Sequence, residues 1–380
     1  MNSTKSKILL FGGTFDPIHD AHILICERAR KQIKADRVIL IPSKNPRRKA
    51  PTEDINHRLN MINLQLKANN LNYEIEDYEI NSNSEVNYSI DTVKYLIKKI
   101  PNAKFYFLIG SDQVEAFNRW KDVEELSKLV QVVYYGRSSI QSEKFCKNIK
   151  DFNIKHIKGR EIDLSSTSIR ELKSLNTSLS VINYIVDNNL YFMPKVKELV
   201  YGKRLEHSIS VAKVAYNIAL KNNLKNPGDY YIAGLIHDCG KLCPDERKLE
   251  IMKEHYKKYV NLPKVTYHQF VGDYLAKHEL NITDKRILNA IKYHCSGRAK
   301  MGVIEKVVYA SDKIEPTRGY DSSDYINRME ENYEDGFVYI LGENLKFVMQ
   351  KHNMTPQDLK SNPLTYDCIK YYLEEKELTK

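Results

Sequence analysis

Gly12-Gly13-Thr14-Phe15-Asp16-Pro17-Ile18-His19-Asp20-Ala21-His22 follows a short apolar run, Ile8-Leu9-Leu10-Phe11, and precedes a helical pattern. A buried strand that ends in two glycines and restarts as a helix leaves backbone N–H groups bare at the turn, and the helix N-terminus adds partial positive charge. Such a turn accepts a phosphate. His19 and His22 are three apart, so both imidazoles fall on one face at the helix start and can reach the same ligand.

Beyond this turn, short β-branched runs alternate with helical patterns. Strands are expected at Lys7–Phe11, Arg37–Ile41, Tyr73–Ile80, Lys104–Ile109 and Leu129–Tyr135. Helices are expected at His22–Lys34, Glu53–Asn69, Ile90–Lys99 and Val123–Lys128. The alternation implies βαβ crossovers, hence an α/β Rossmann-like parallel sheet that binds ligands outside the carboxyl ends of its strands. After Leu190-Tyr191-Phe192-Met193-Pro194 strand-like runs nearly vanish. Helical patterns follow at Arg204–Asn222, Asp229–Ile236, His268–Glu279, Lys285–Tyr293, Ile304–Lys313 and Val338–Lys351. With Pro194 read as a breaker, the expected domains are 1–193, α/β, and 194–380, all-α.

A chain of 380 residues suits two cores, and its net charge of +10 permits phosphorylated partners. No Lys/Arg tail stands apart, so nucleic acid is not an expected partner. The six cysteines show no CxxC spacing and read as reduced thiols. Met1 to Lys7 leads into no signal-peptide run and no window approaches a membrane span, so a cytoplasmic protein with no membrane partner is expected. Whether it forms a homo-oligomer stays open.

A second phosphate candidate is Leu164-Ser165-Ser166-Thr167-Ser168-Ile169-Arg170. Hydroxyls at a helix start cap it and offer donors to an anion, and Arg170 adds a planar charged fork. The two stretches together resemble the nucleotidyltransferase superfamily with His-x-x-His and Ile-Ser-Ser-Thr-x-x-Arg signatures. Within it, GGTFDPIH is similar to bacterial nicotinate-nucleotide adenylyltransferases. Arg58 with Met61, Tyr88-Ser89 with Asp91-Thr92, and Gly110-Ser111-Asp112 with Trp120 extend the likeness over about residues 7–191.

That resemblance implies transfer of AMP from ATP to nicotinate mononucleotide, giving deamido-NAD and pyrophosphate. His19 and His22 are the implied catalytic pair, and Mg²⁺ accompanies ATP. Gly12, Gly13, Thr14, Phe15, Lys44, Lys49, Tyr88, Thr92, Gly110, Asp112, Trp120, Ser165, Ser166, Thr167 and Arg170 are implied in binding ATP and the nucleotide substrate, with Trp120 and Tyr88 flanking the nicotinate ring and its ribose. Three positions depart from the family: Ala21 replaces a usual Gly near the phosphate path, Pro46-Arg47-Arg48-Lys49 stands for Pro-Pro-His-Lys, and Ser89 stands for Thr. Pantetheine-phosphate and cytidylyl transferases are the rival assignment for this half.

In the second half, His237-Asp238 ends an apolar helical stretch, and His207, His268, His294 and Asp312 lie on other expected helices. Imidazoles and carboxylates of this kind can hold divalent metal. Their order resembles the HD metal-dependent phosphohydrolases. Tyr293-His294-Cys295-Ser296-Gly297-Arg298 and Ser311 to Arg318 are similar to the branch that cleaves diadenosine tetraphosphate symmetrically, over about residues 196–325. The resemblance implies two metals, expected to be iron, on His207, His237, Asp238, His268, His294 and Asp312. It also implies Asp238 and Lys241 in catalysis, Arg298 and Arg318 on the polyphosphate, and two ADP as products. The alternative is a non-catalytic HD-type domain that senses nucleotides or binds RNA; a complete ligand set argues against it. Residues 326–380 carry no legible chemistry.

Overall fold

The computed structural model describes residues 5–46, 50–136, 142–160, 162, 164–355 and 357–374, with Glu374 described by its backbone alone. The chain divides into two compact units, Met1–Ser166 with Thr177–Tyr184, and Thr167–Asn176 with Ile185–Lys380.

The first unit is built on six parallel strands: β1 (Ser6–Gly13), β2 (Arg37–Pro42), β3 (Glu74–Ile75), β4 (Ala103–Gly110), β5 (Gln131–Tyr135) and β6 (Lys155–His156). Their order is β3-β2-β1-β4-β5-β6. The direction of winding reverses between β1 and β4, the place where an open α/β sheet leaves a crevice for ligand. In register, Phe11 lies beside Leu40 of β2 and Leu108 of β4, so the glycines after β1 and β4 come out at the same edge. Side chains alternate faces: Ile8 and Leu10 join Phe105, Phe107 and Ile109 in one core layer, and Leu9 and Phe11 are buried on the other. Helices α1 (Asp20–Ile33), α2 (Ile55–Ala68) and α3 (Ser89–Lys99) cross between strands.

Two local expectations differ. Tyr73–Ile80 is not one strand: pairing stops after Ile75, and the Glu76 carboxylate accepts the Tyr78 N–H (3.0 Å), turning the chain into a short helix, Tyr78–Asn81. Pro194 does not break structure; it occupies the first turn of the helix Met193–Leu199, where its missing N–H costs nothing. The short strand β6 and the helices Glu143–Asp151, Asp245–His255 and Ser323–Glu331 were not legible as separate runs.

The second unit is helical. Five helices carry its site: α4 (Lys203–Lys221), α5 (Pro227–Ile236), α6 (Tyr267–His278), α7 (Lys285–Tyr293) and α8 (Val303–Ile314). The two most apolar, α5 and α8, are buried along most of their length. No helix among the described residues is long and apolar enough to cross a membrane.

Candidate active sites

In the first unit the glycine turn is held open by partners from far along the chain. Arg58 of α2, 1% exposed, donates to the carbonyls of Thr14 (2.7 Å), Ser43 (2.7 Å) and Glu53 (3.2 Å). Ser166 donates to Pro17 O (2.8 Å), and Thr177 to Ile18 O (3.3 Å). The loop is thus fixed by side chains. Phe15 takes a left-handed backbone (φ 48°) that buries its ring edge-on against His22, 5.1 Å between centroids.

His19 is the N-cap of α1 in extended conformation, and its N–H donates to His22 Nδ1 (3.2 Å). That bond places the proton of neutral His22 on Nε2, as a donor. The rings lie 3.8 Å apart. Burial lowers His19 to about 4, and burial together with His19 holds His22 well below the ordinary imidazole range. Both are neutral donors at pH 7, and buried His19 Nδ1 has no partner among the described residues.

Beside the turn lies a cleft of about 890 Å³ at the β1/β4 edge. Gly12, Gly13, Thr14, Tyr88, Gly110, Asp112 and Trp120 line it, as expected from sequence. Trp120 packs on Phe117 and Phe107 (5.1 and 6.0 Å), and Lys121 sits 4.5 Å above the Tyr88 ring while pairing with Asp91 (3.2 Å). Thr92 is buried instead, donating to Glu79 (2.9 Å), which itself lines the cleft. Lys44 Nζ reaches Ser82 O at 3.5 Å. Lys49 lies outside the described residues. Ser165 is exposed. Thr167 and Arg170 count with the second unit, where Arg170 donates to Thr167 Oγ1 (2.8 Å). Ala21 is 4% exposed, its methyl packed into the core.

The second unit gathers all six expected ligands. His207 comes from α4, His237-Asp238 from the end of α5, His268 from α6, His294 from the end of α7 and Asp312 from α8. Three imidazoles are anchored alike, Nδ1 of each facing a carbonyl one turn back: His237 to Gly234 (2.7 Å), His268 to Val265 (2.8 Å) and His294 to Ile291 (2.7 Å). His207 Nδ1 instead meets the Glu315 carboxylate at 2.8 Å. With Nδ1–H so engaged, each Nε2 offers a lone pair inward, the arrangement second-shell bonding imposes on metal-ligating histidine.

The inward atoms form overlapping trios, His207/His237/Asp238, His237/His294/Asp312 and Asp238/His268/His294, within each of which the candidate ligand atoms lie within 4.8 Å of one another. The Nε2 atoms of His268 and His294 are 3.2 Å apart, and buried His237 Nε2 has no hydrogen-bond partner among the described residues. Lone pairs this close, beside two carboxylates, fit a divalent cation. Gly240 permits the closeness: a Cβ there would lie 2.2 Å from His268 O.

The electrostatics agree. Burial lowers His268 to about 3, with His294 adding to the effect, and lowers His294 itself. Burial would also lower His237, but Asp238 and Asp312 carry it upward. Asp238 falls below the usual carboxylate range because His237 and His294 outweigh its burial, and Asp312 falls well below it through Lys313 and His207. A cleft of about 470 Å³ opens over the set, rimmed by Lys203, Arg204, Lys241 and Arg318.

Arg318 Nη2 donates to Asp312 Oδ1 (2.6 Å), and Arg204 pairs with Asp238 Oδ2. Arg298 is elsewhere: its guanidinium donates twice to Glu305 (2.7 Å each) and once to Ala299 O (3.3 Å), and it does not line this cleft. Sequence reasoning missed Arg204 and Glu315 as site residues. Each stands three residues from a ligand, and that helical spacing was the available signal.

Residues 10–172 match the cytidylyltransferase-like family model, and residues 204–317 match the HD domain model. A Mycoplasma genitalium protein named "probable nicotinate-nucleotide adenylyltransferase/Ap4A hydrolase" is 33% identical over 83% of this chain and 89% of its own length. The protein of the same name from Mycoplasma pneumoniae is 30% identical over 82% and 90%. A solved structure, nicotinic acid mononucleotide adenylyltransferase of Plasmodium falciparum complexed with NaAD, is 22% identical with a TM-score of 0.41, covering 50% of this chain and 98% of that one.

Proposed function

The chain belongs to the family of fused nicotinate-nucleotide adenylyltransferase/Ap4A hydrolases, a cytidylyltransferase-like domain followed by an HD domain, and we propose that it carries both activities. It adenylylates nicotinate mononucleotide with ATP, giving deamido-NAD and pyrophosphate, and it hydrolyses diadenosine tetraphosphate to two ADP. Both reactions are proposed to run in the cytoplasm. The observation that carries the reading is the pairing of two candidate phosphate sites in one chain: neutral, adjacent imidazoles at a glycine turn, and four inward Nε2 atoms with two carboxylates.

In the transferase site, the incoming phosphate oxygen bonds to the α-phosphorus of ATP while the bond to the β-phosphate oxygen breaks. The nucleophile is already anionic, so no base is needed and the protein's task is placement and charge dispersal. His22 Nε2–H donates to the phosphate oxygens, and the partial positive charge at the N-terminus of α1 favours them. Thr167 and Arg170 are assigned to the polyphosphate as well, with Mg²⁺ entering as the counter-ion of ATP. Trp120, Tyr88 and Asp112 are assigned to the nicotinate nucleotide.

In the hydrolase site, His207, His237, Asp238, His268, His294 and Asp312 would hold two metals, proposed to be iron. Bound there, the ions supply Lewis acidity and activate water. Lys241, Arg204 and Arg318 hold the polyphosphate and offset the charge on departing ADP. The test uses two variants of the full chain. His22→Ala is expected to lose deamido-NAD formation and keep tetraphosphate hydrolysis; His237→Ala is expected to do the reverse. Loss of both activities in either variant would refute the division of labour.

A further inference from the structure

Directly after Arg318 the chain makes a left-handed turn at Gly319 (φ 83°) and presents Tyr320. Exposed aromatic rings on a loop are usually free to move, but this one is pinned. Its hydroxyl donates to Lys313 O at 2.5 Å, the carbonyl next to the ligand Asp312. Tyr325 meets the ring at 89° with centroids 6.3 Å apart, and Tyr325 is in turn backed by Tyr339 at 5.9 Å. Even so, Tyr320 stays 47% exposed. The space beside it is open: a Cβ on Gly319 would meet no atom within 4 Å. A rigid, solvent-facing ring costs side-chain freedom, and the folded core gains little from it.

The chemistry of the substrate class supplies a use. Arg318 faces the phosphate-binding cleft, and Tyr320 is two residues further on, a separation of at most about 7 Å. One ribose spans a similar distance between a 5′-phosphate and its base. Aromatic side chains bind bases by stacking, because every base offers a π-face. Resting on the hydrolase reading, we propose that Tyr320 is the platform on which one nucleobase of the dinucleotide stacks while Arg318 holds the adjoining phosphate. The platform then selects nucleoside polyphosphates over bare polyphosphate, a distinction the cationic rim cannot make alone.

The experiment uses the full, iron-loaded chain, with diadenosine tetraphosphate as substrate and inorganic tripolyphosphate as a base-free competitor. Tyr320→Ala is expected to raise KM about tenfold, as loss of one base–aromatic stack does, and to leave the inhibition constant of tripolyphosphate unchanged. Tyr320→Leu, which fills the volume without an aromatic face, is expected to raise KM likewise, and Tyr320→Phe to stay within about twofold of the parent. Deamido-NAD formation and metal content report that each variant is folded. An unchanged KM in the Leu variant overturns the platform. So does a parallel rise in KM and in the tripolyphosphate constant, which marks a disturbed Arg318 loop. If the parent chain fails to hydrolyse the dinucleotide, the hydrolase reading falls and the platform with it; the other two results leave that reading standing.

Discussion

Glu315→Gln separates the ligands of the hydrolase site from the residue that aims one of them. Glu315 is 1% exposed and accepts bonds from His207 Nδ1 (2.8 Å), Thr317 N (2.7 Å) and Thr317 Oγ1 (2.7 Å), with the Ser210 side chain a further partner. Burial alone would raise its carboxyl, yet the donors from His207 and Thr317 hold it below the ordinary range. Glutamine keeps the volume but has one acceptor oxygen. Its NH₂ must face either the His207 or the Thr317 donor, and a buried donor left without an acceptor costs about 1–3 kcal/mol. If His207 loses the contest, its Nε2 is no longer fixed as a lone pair pointing inward. Metal affinity is then expected to fall about 10- to 100-fold, the usual effect of removing an outer-shell partner, or about 1.4–2.7 kcal/mol. The assay challenges iron-loaded protein with graded chelator, counts retained metal and follows diadenosine tetraphosphate hydrolysis, with deamido-NAD formation as the internal control. Metal retention and hydrolysis both within about threefold of the parent, the scatter of a neutral surface change, would refute the aiming role.

Arg58→Met leaves the Thr14 and Ser43 carbonyls without their buried donor. Urea unfolding of the first unit should show a loss of about 3 kcal/mol, and a loss under about 1 kcal/mol would deny Arg58 its clamp role. Gly13→Ala puts a Cβ 3.0 Å from the ring of Phe15, which is 1% exposed and leans on His22. Deamido-NAD formation should fall at least about tenfold with hydrolysis untouched, and equal rates would mean the ring yields freely. For pH, the folded His19 sits at about 4 against an ordinary 6.5, lowered by burial. The unfolded chain therefore takes up protons first as pH falls. The first unit keeps this stability above pH 6.5 and loses it between 6.5 and about 4. Imidazole Hε1 resonances of His19 and His22 should remain neutral at pH 5.5, whereas midpoints near 6.5 would contradict the buried, neutral pair.

Some of the chemistry is local and so was legible. His19 and His22 share a face because three residues make nearly one helical turn, and Gly12-Gly13 after an apolar run can only end a strand. His237-Asp238 stood out because it ends an apolar stretch, and the order of the six candidate ligands carried the resemblance. Thr92, Arg298 and Lys44 were read from motif position alone, and their bonds go to Glu79, Glu305 and the Ser82 carbonyl.

Residue types and short spacings in the sequence determined the parallel sheet and the helical second half, and they brought forward the candidate residues of two sites. Tertiary structure decided which side chain serves as ligand, anchor or wall. Ser166 reaches Pro17 across 149 residues, and Glu315 reaches His207 across 108. Such pairs carry no periodic signature. They exist because helix packing brings distant segments together, and a buried donor must then find its acceptor wherever the fold has put one.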